Sequence, residues 1–162
     1  MSKLFKIALL LLAITFIKPA ATQAQSTTKY KCLIQMTNYM GDGAYLVISL
    51  IDAKGAYEKT LYVLGSDKKW YKTLKEWHKF YAKKPSNLSA ITGASVTGGD
   101  RSVNVIELDN AKINAGYKLR FESAVEDKNY YVKDLEMPLT TEKLTAKNDG
   151  TGFIRYVRFS SN

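Results

Sequence analysis

The chain has one cysteine and one histidine in 162 residues. A single Cys excludes an internal disulfide, a CxxC redox pair and a Cys-rich zinc site. A single His excludes a three-His or HExxH metal site. The phosphate loop GxxxxGK[ST], the strand-to-helix GxGxxG step and the nucleophile elbow GxSxG are all missing. No apolar run approaches the roughly 20 residues that a membrane helix needs. The longest, Ile7 to Ile17, is too short to span. These absences remove most metal, nucleotide and hydrolase chemistry from the expected function.

What is present is an ordinary globular composition, 46% hydrophobic and 24% charged. The length suits one domain. Met1 to Lys6 is basic, Ile7 to Ile17 is apolar, and small residues follow to Thr22-Gln23-Ala24. That is the layout of a secretory signal peptide over residues 1–24, leaving a single domain at 25–162. The mature protein is therefore expected in the periplasm or outside the cell, with no membrane-spanning segment. In an oxidising compartment a lone Cys is usually a buried, inert residue. Tyr30, Cys32, Ile34 and Met36 share one strand face, so Cys32 is expected in the core.

Period-2 patterning recurs at 29–38, 44–52, 56–64, 101–108, 117–126, 130–137 and 152–160. In the clearest stretch Tyr117, Leu119, Phe121 and Val125 face one way, and Lys118, Arg120 and Glu122 the other. Turn-forming residues separate the runs, as at Asn114-Ala115-Gly116 and Asn148-Asp149-Gly150. The expected fold is mainly β, an immunoglobulin-like two-sheet sandwich of about seven strands. A barrel is the structural alternative.

One segment has a different period. Trp70, Leu74, Trp77 and Tyr81 fall at i, i+4, i+7 and i+11, which predicts a single inserted helix near 67–83. It should pack both Trp residues on the sandwich and turn its lysines to solvent. The whole chain carries a net charge of +9. Segment 66–84 alone holds seven Lys against Asp67 and Glu76. Lys68, Lys72, Lys75 and Lys79 are therefore candidate contacts for an anionic partner. Charge concentrated on one segment, rather than spread along a groove, argues against nucleic-acid binding. His78 lies beside the stripe with no visible acid–base partner, so no enzyme built on Cys32 and His78 is expected.

Residues Pro85 to Asp100, PSNLSAITGASVTGGD, form a long connection rich in Ser, Thr and Gly. Long connections in compact domains are often functional. Hydroxyls and closely approachable backbone N–H groups are the parts that hold an oxyanion.

Several short features, in order, resemble a bacterial family of predicted periplasmic proteins of unknown function. They are Tyr62-Val63-Leu64-Gly65, the Lys69 to Trp77 stretch, Ser89-Ala90-Ile91-Thr92-Gly93-Ala94-Ser95, Leu108-Asp109-Asn110, Gly116-Tyr117, and the pair Glu122 and Glu126. The resemblance covers about residues 30–138. It implies an immunoglobulin-like sandwich, and the turn and Gly-Tyr step are similar to those of flagellar-hook-cap modules. Such families occur near flavin transferases and PepSY-type membrane proteins. The resemblance therefore implies an accessory or binding role beside a periplasmic flavin- or haem-linked redox system, without a cofactor of its own. The Thr-Gly-Ala-Ser core also resembles sites where flavin transferases attach FMN to a hydroxyl. On that alternative Ser95 would be the acceptor, with Thr92 and Gly93 beside it. Ser89 stands where the acceptor pattern begins with an acidic residue.

Overall fold

The computed structural model describes residues 26–161. The expected signal peptide therefore lies outside the described residues. Nine strands form two separate sheets. They are β1 Thr27–Met36, β2 Tyr45–Ile51, β3 Tyr57–Leu64, β4 Thr92–Gly93, β5 Arg101–Asp109, β6 Lys118–Ala124, β7 Tyr130–Pro138, β8 Asn148–Asp149 and β9 Ile154–Ser161. One sheet has the order β5-β1-β9-β8, the other β4-β3-β2-β6-β7. Among the described residues no strand joins the two, so the fold is a sandwich and not a barrel. The seven period-2 runs all appear as strands. The two additional strands, β4 and β8, are two residues each and too short to show a period.

The core lies between the sheets. Cys32, Ile34 and Met36 of β1 meet Leu46, Ile48, Leu119 and Phe121 of β2 and β6. Cys32 is fully buried, as its strand face required, and burial pushes its thiol pKa far up. A protonated thiol in a closed core is a packing group, not a nucleophile.

The five-stranded sheet is buried on both faces. Its second face carries Val47, Val63 and Ala124, and against these pack Tyr71, Leu74, Trp77 and Leu88. The fold thus has a third layer, made of the segment from Asp67 to Lys84 and the connection that follows. In this layer the structure differs from the single expected helix. Lys68–Thr73 is a 3-10 helix and Lys75–Lys83 an α-helix, α1, with Leu74 between them at φ −82°, ψ 68°. At the break Thr73 Oγ1 donates to the Trp70 carbonyl at 2.6 Å, the carbonyl that a continuous α-helix would pair with the Leu74 N–H. The Leu74 N–H turns instead to the Tyr71 carbonyl at 3.1 Å. The tighter 3-10 winding rotates the register. Tyr71, not Trp70, faces the sheet, and Trp70 is left half-buried at the rim.

The two sheets are tied near the β8–β9 turn by Asp134 of β7. Its buried carboxylate accepts from the backbone N–H groups of Gly152 (2.7 Å), Ile154 (2.9 Å) and Thr151 (3.2 Å), and from the Ser123 hydroxyl. A buried carboxylate needs this number of donors to be tolerated. Replacing Asp134 with Ala leaves several of these donors unpaired. We expect Asp134→Ala to lower the free energy of unfolding by roughly 3 kcal/mol, measured by urea titration. A change under about 0.5 kcal/mol would show that the tie contributes little.

Candidate functional site

The site is assembled on the outer face of the five-stranded sheet, and its anchor is Glu122 of β6. Alternation places Glu122 away from the inter-sheet core, as expected, but not in solvent. The third layer covers it, and its exposure is 0%. The carboxylate accepts from Tyr57 Oη at 2.5 Å and from the Tyr130 hydroxyl. It also accepts from the backbone N–H of Trp77 at 3.3 Å. Tyr130 Oη in turn accepts from the Glu76 N–H at 2.9 Å.

Two first-turn N–H groups of α1 therefore find partners on β6 and β7. Leu74, the residue at the N-cap position, offers no side-chain bond. A helix start leaves four N–H groups without intrahelical partners and favours negative charge. Glu122 supplies that charge from 45 residues away in sequence. It caps α1 through tertiary structure.

Aromatic packing completes the anchor. Trp77 is fully buried, stacks on Tyr81 at 5.1 Å and meets Tyr71 edge-on at 5.3 Å. Its Nε1–H donates to Thr60 Oγ1 at 2.9 Å. Phe80 stacks on Tyr57 at 5.4 Å. Arg120, on the same face, lies 5.0 Å from the Tyr57 ring centre and donates through Nε to Glu136 at 2.7 Å. Burial raises the Glu122 pKa, with the two tyrosine hydroxyls, the Trp77 N–H and Arg120 opposing the rise. Burial, then the Glu122 carboxylate, pushes both tyrosines upward.

The connection after α1 is tied down, contrary to its loop-like composition. Strand β4 runs parallel to β3, pairing Thr92 with Val63 and Gly93 with Leu64. The Gly93 carbonyl accepts from Gly65 at 2.8 Å. Gly65 must be glycine, because its φ is +121° and a Cβ would fall 2.1 Å from the Tyr45 ring. Val96 and Ala44 exchange backbone bonds at 2.8 and 3.2 Å, and Tyr39 Oη donates to the Val96 carbonyl.

Among the expected acceptor residues, Thr92 spends its hydroxyl on the Leu88 carbonyl at 2.7 Å, and Gly93 is part of the sheet edge. Ser95 is exposed. It lines a cleft of about 230 Å³ together with Asp42, Gly43, Tyr45, Trp70, Thr73 and Glu126. The sequence-predicted basic segment and the predicted loop thus meet at one place. Two carboxylates, Asp42 and Glu126, line the same cleft. A phosphate held there would meet charge of its own sign, so the cleft does not fit an FMN phosphate.

The four candidate lysines all project outward from the third layer. Lys79 is engaged by Glu76 at 2.6 Å. Lys68, Lys72 and Lys75 have no carboxylate within ion-pair distance among the described residues. Cys32 and His78 are not brought together. Cys32 lies between the sheets, and His78 sits on α1 outside the five-stranded sheet. Among the described residues no helix is long and apolar enough to cross a membrane.

The model of a family of predicted periplasmic proteins, DUF2271, matches residues 27–156. The chain belongs to this family. The matched span runs from β1 into β9, so the membership covers both sheets and the third layer. It places the protein in the periplasm. No curated protein and no solved structure matches the chain.

Sequence reasoning missed the role of Glu122 because an acidic residue on a polar strand face ordinarily marks solvent. Its partners, Tyr57 on β3 and Tyr130 on β7, meet it only through the strand order β3-β2-β6-β7, which the residue pattern does not report. Glu122→Ala should lower stability by about 3 kcal/mol and red-shift tryptophan fluorescence as Trp77 gains water. Unchanged fluorescence and stability would show that α1 docks without its tertiary cap.

The pH dependence has a definite sign. The folded state holds the Glu122 proton to a higher pH than the unfolded chain does. This group's contribution is fully present below the ordinary value of 4.5 and is lost as pH rises through the raised folded value. The stability of Glu122→Gln relative to wild type should therefore increase with pH across that window. A flat difference curve would contradict the raised value.

Ser49, buried on the same face with its Oγ unpartnered, makes the opposite prediction. Ser49→Ala should leave the melting temperature unchanged or raise it, since a desolvated hydroxyl is removed without orphaning a partner.

Proposed function

We propose that the protein is a non-enzymatic periplasmic docking module that serves a flavin- or haem-linked membrane redox system. The docking face is the third layer, with Lys68, Lys72 and Lys75 as its charged contacts. The observation that carries this reading is the convergence of the basic segment and the Ser95 loop on one rigid surface. Trp70 and Thr73 from the first and Ser95 from the second line one cleft. At the far end of α1 a second groove, about 490 Å³, runs past Phe80, Lys84, Pro85 and Ile91. Three exposed lysines on this layer, without a carboxylate partner among the described residues, suit an acidic stretch of a partner that runs over the layer rather than into the carboxylate-lined cleft. A module that docks needs a fixed surface, and the Glu122 cap, strand β4 and the Val96–Ala44 pair supply one. The redox character of the partner rests on the family resemblance.

The FMN-carrier alternative has one favourable observation, the exposed Ser95 hydroxyl. Against it stand the carboxylates of Asp42 and Glu126 in the adjoining cleft, and Ser89 at the acidic position of the acceptor pattern.

One experiment separates the readings. A photocrosslinker placed at Lys72 in the native host should capture an envelope protein that contains flavin or haem, identified by mass spectrometry and absorbance. The combined substitution Lys68→Glu, Lys72→Glu, Lys75→Glu should cut capture by about tenfold or more, because each reversed charge opposes an acidic partner. Intact mass should show an unmodified chain. Capture of no redox protein would overturn the docking reading. A mass increment of one FMN on Ser95 would establish the carrier instead.

A further inference from the structure

Sandwiches have open sheet edges, and natural proteins protect them with short strands, bulges, prolines or covering loops. Three of the four edges here each carry at least one of these devices over part of their length. The outermost strands β4 and β8 are two residues long. Strand β7 is covered by the β8–β9 turn, whose Thr151 N–H donates to the Asp134 carbonyl at 2.7 Å, and it ends in Pro138.

The fourth edge, β5, has none of these devices among the described residues. It is nine residues long, and among the described residues it pairs only with β1. Its register with β1 runs unbroken from Asp109↔Thr27 to Arg101↔Gln35, whereas the β1–β9, β2–β3 and β6–β7 pairings all contain shifts. Among the described residues no backbone hydrogen bond from outside the β1 ladder reaches residues 101–108. It also carries two of the three exposed large apolar side chains among the described residues, Val103 at 57% and Val105 at 46%.

The order of side chains along β5 identifies what would pair with it. The outer face reads Arg101, Val103, Val105, Glu107: positive, apolar, apolar, negative. Antiparallel to itself and centred on Asn104, this row is self-complementary. Arg101 faces Glu107 of the second copy, and Val103 faces Val105. Opposite charges and β-branched pairs directly across a ladder are the favourable combinations. Both recur twice under a two-fold axis, as an isologous interface requires. A one-residue slip would carry the valines to the wrong face.

On the inner face Asn104 would lie on the axis, opposite its own copy. An amide carries both donor and acceptor and can bond to an identical amide. The two charges are positioned for this. Glu107 is held at the edge by the Thr27 hydroxyl and faces Lys29 across the ladder. Arg101 has no carboxylate within ion-pair distance among the described residues.

We propose that the protein forms a two-fold dimer by antiparallel pairing of β5 with β5 of a second copy. The two four-stranded sheets then become one continuous eight-stranded sheet. This surface is on the opposite sheet from the docking face and does not depend on the docking reading.

The test is sedimentation equilibrium of the protein purified from the periplasm, over a wide concentration range. Wild type should show a concentration-dependent dimer. Arg101→Glu and Glu107→Arg should each weaken it by about tenfold, since either one sets like charges face to face at both ends of the ladder. The double charge swap should restore dimerisation to near the wild-type level. Both positions are exposed, and circular dichroism confirms that each variant is folded. Three results would overturn the proposal. They are a wild-type monomer throughout the range, a dimer that neither single swap weakens, and a double swap that stays as weak as the singles. A wild-type monomer whose β5 pairs instead with a different protein falls under the first of these.

Discussion

The third layer depends on one buried carboxylate. Glu122 gives up solvation to sit under the helical segment. Two tyrosine hydroxyls, one backbone N–H and the positive end of a helix offset part of that cost, and the remainder is the raised pKa. Without this carboxylate, α1 would begin after Leu74 with no capping side chain, over a sheet face where two tyrosine hydroxyl protons had lost their acceptor. The interaction is long-range in sequence, joining β6, β3, β7 and α1. It therefore couples the docking of the helix to completion of the five-stranded sheet. The aromatic stack of Tyr71, Trp77 and Tyr81 adds contact area but does not set where the helix starts. The carboxylate does.

From that anchor the rest of the site follows in short steps. With α1 fixed, the 3-10 helix before it leaves Trp70 and Thr73 at one end, and the connection after it returns along the β3 edge. There β4 and the Val96–Ala44 pair hold the loop so that Ser95 faces the same cleft as Trp70. The lysines stay outside because every inward position of the segment is aromatic or aliphatic. The site gathers carboxylates, hydroxyls and aromatic rims, and it leaves the lone Cys and the lone His apart.

Much of the sandwich was legible in the sequence because a half-buried strand writes its environment into alternate residues. Tyr30, Cys32, Ile34 and Met36 marked the inner face of β1, and Leu119, Phe121 and Val125 that of β6. Where the environment departed from that rule, the reading failed for physical reasons. Lys118, Arg120 and Glu122 looked solvated, yet Arg120 and Glu122 are buried, because a covering layer converts a polar face into a network without changing the pattern. The stripe Trp70, Leu74, Trp77, Tyr81 fits an unbroken helix. The chain is instead wound as 3-10 up to Thr73 and as α-helix only from Lys75, a change of winding that the stripe does not report. The loop from Pro85 to Asp100 has the composition of a mobile segment, but its restraints come from β3, Ala44 and Tyr39, which composition does not report. The basic segment was visible as a run. The self-complementary row on β5 was not, since its meaning depends on that strand lying at an unprotected edge.

The claim that Glu122 welds the third layer to the sandwich is tested most directly by native-state hydrogen exchange. The amides of Glu76 and Trp77 report on the capped turn, and those of Leu46 to Leu50 report on the core strand beside it. If the account holds, both sets exchange only through the same global opening and with nearly equal free energies, because the cap makes helix and sheet one cooperative unit. Exchange of Glu76 and Trp77 at much lower free energy, while the β2 amides remain protected, would show that the helix opens on its own and would contradict the account.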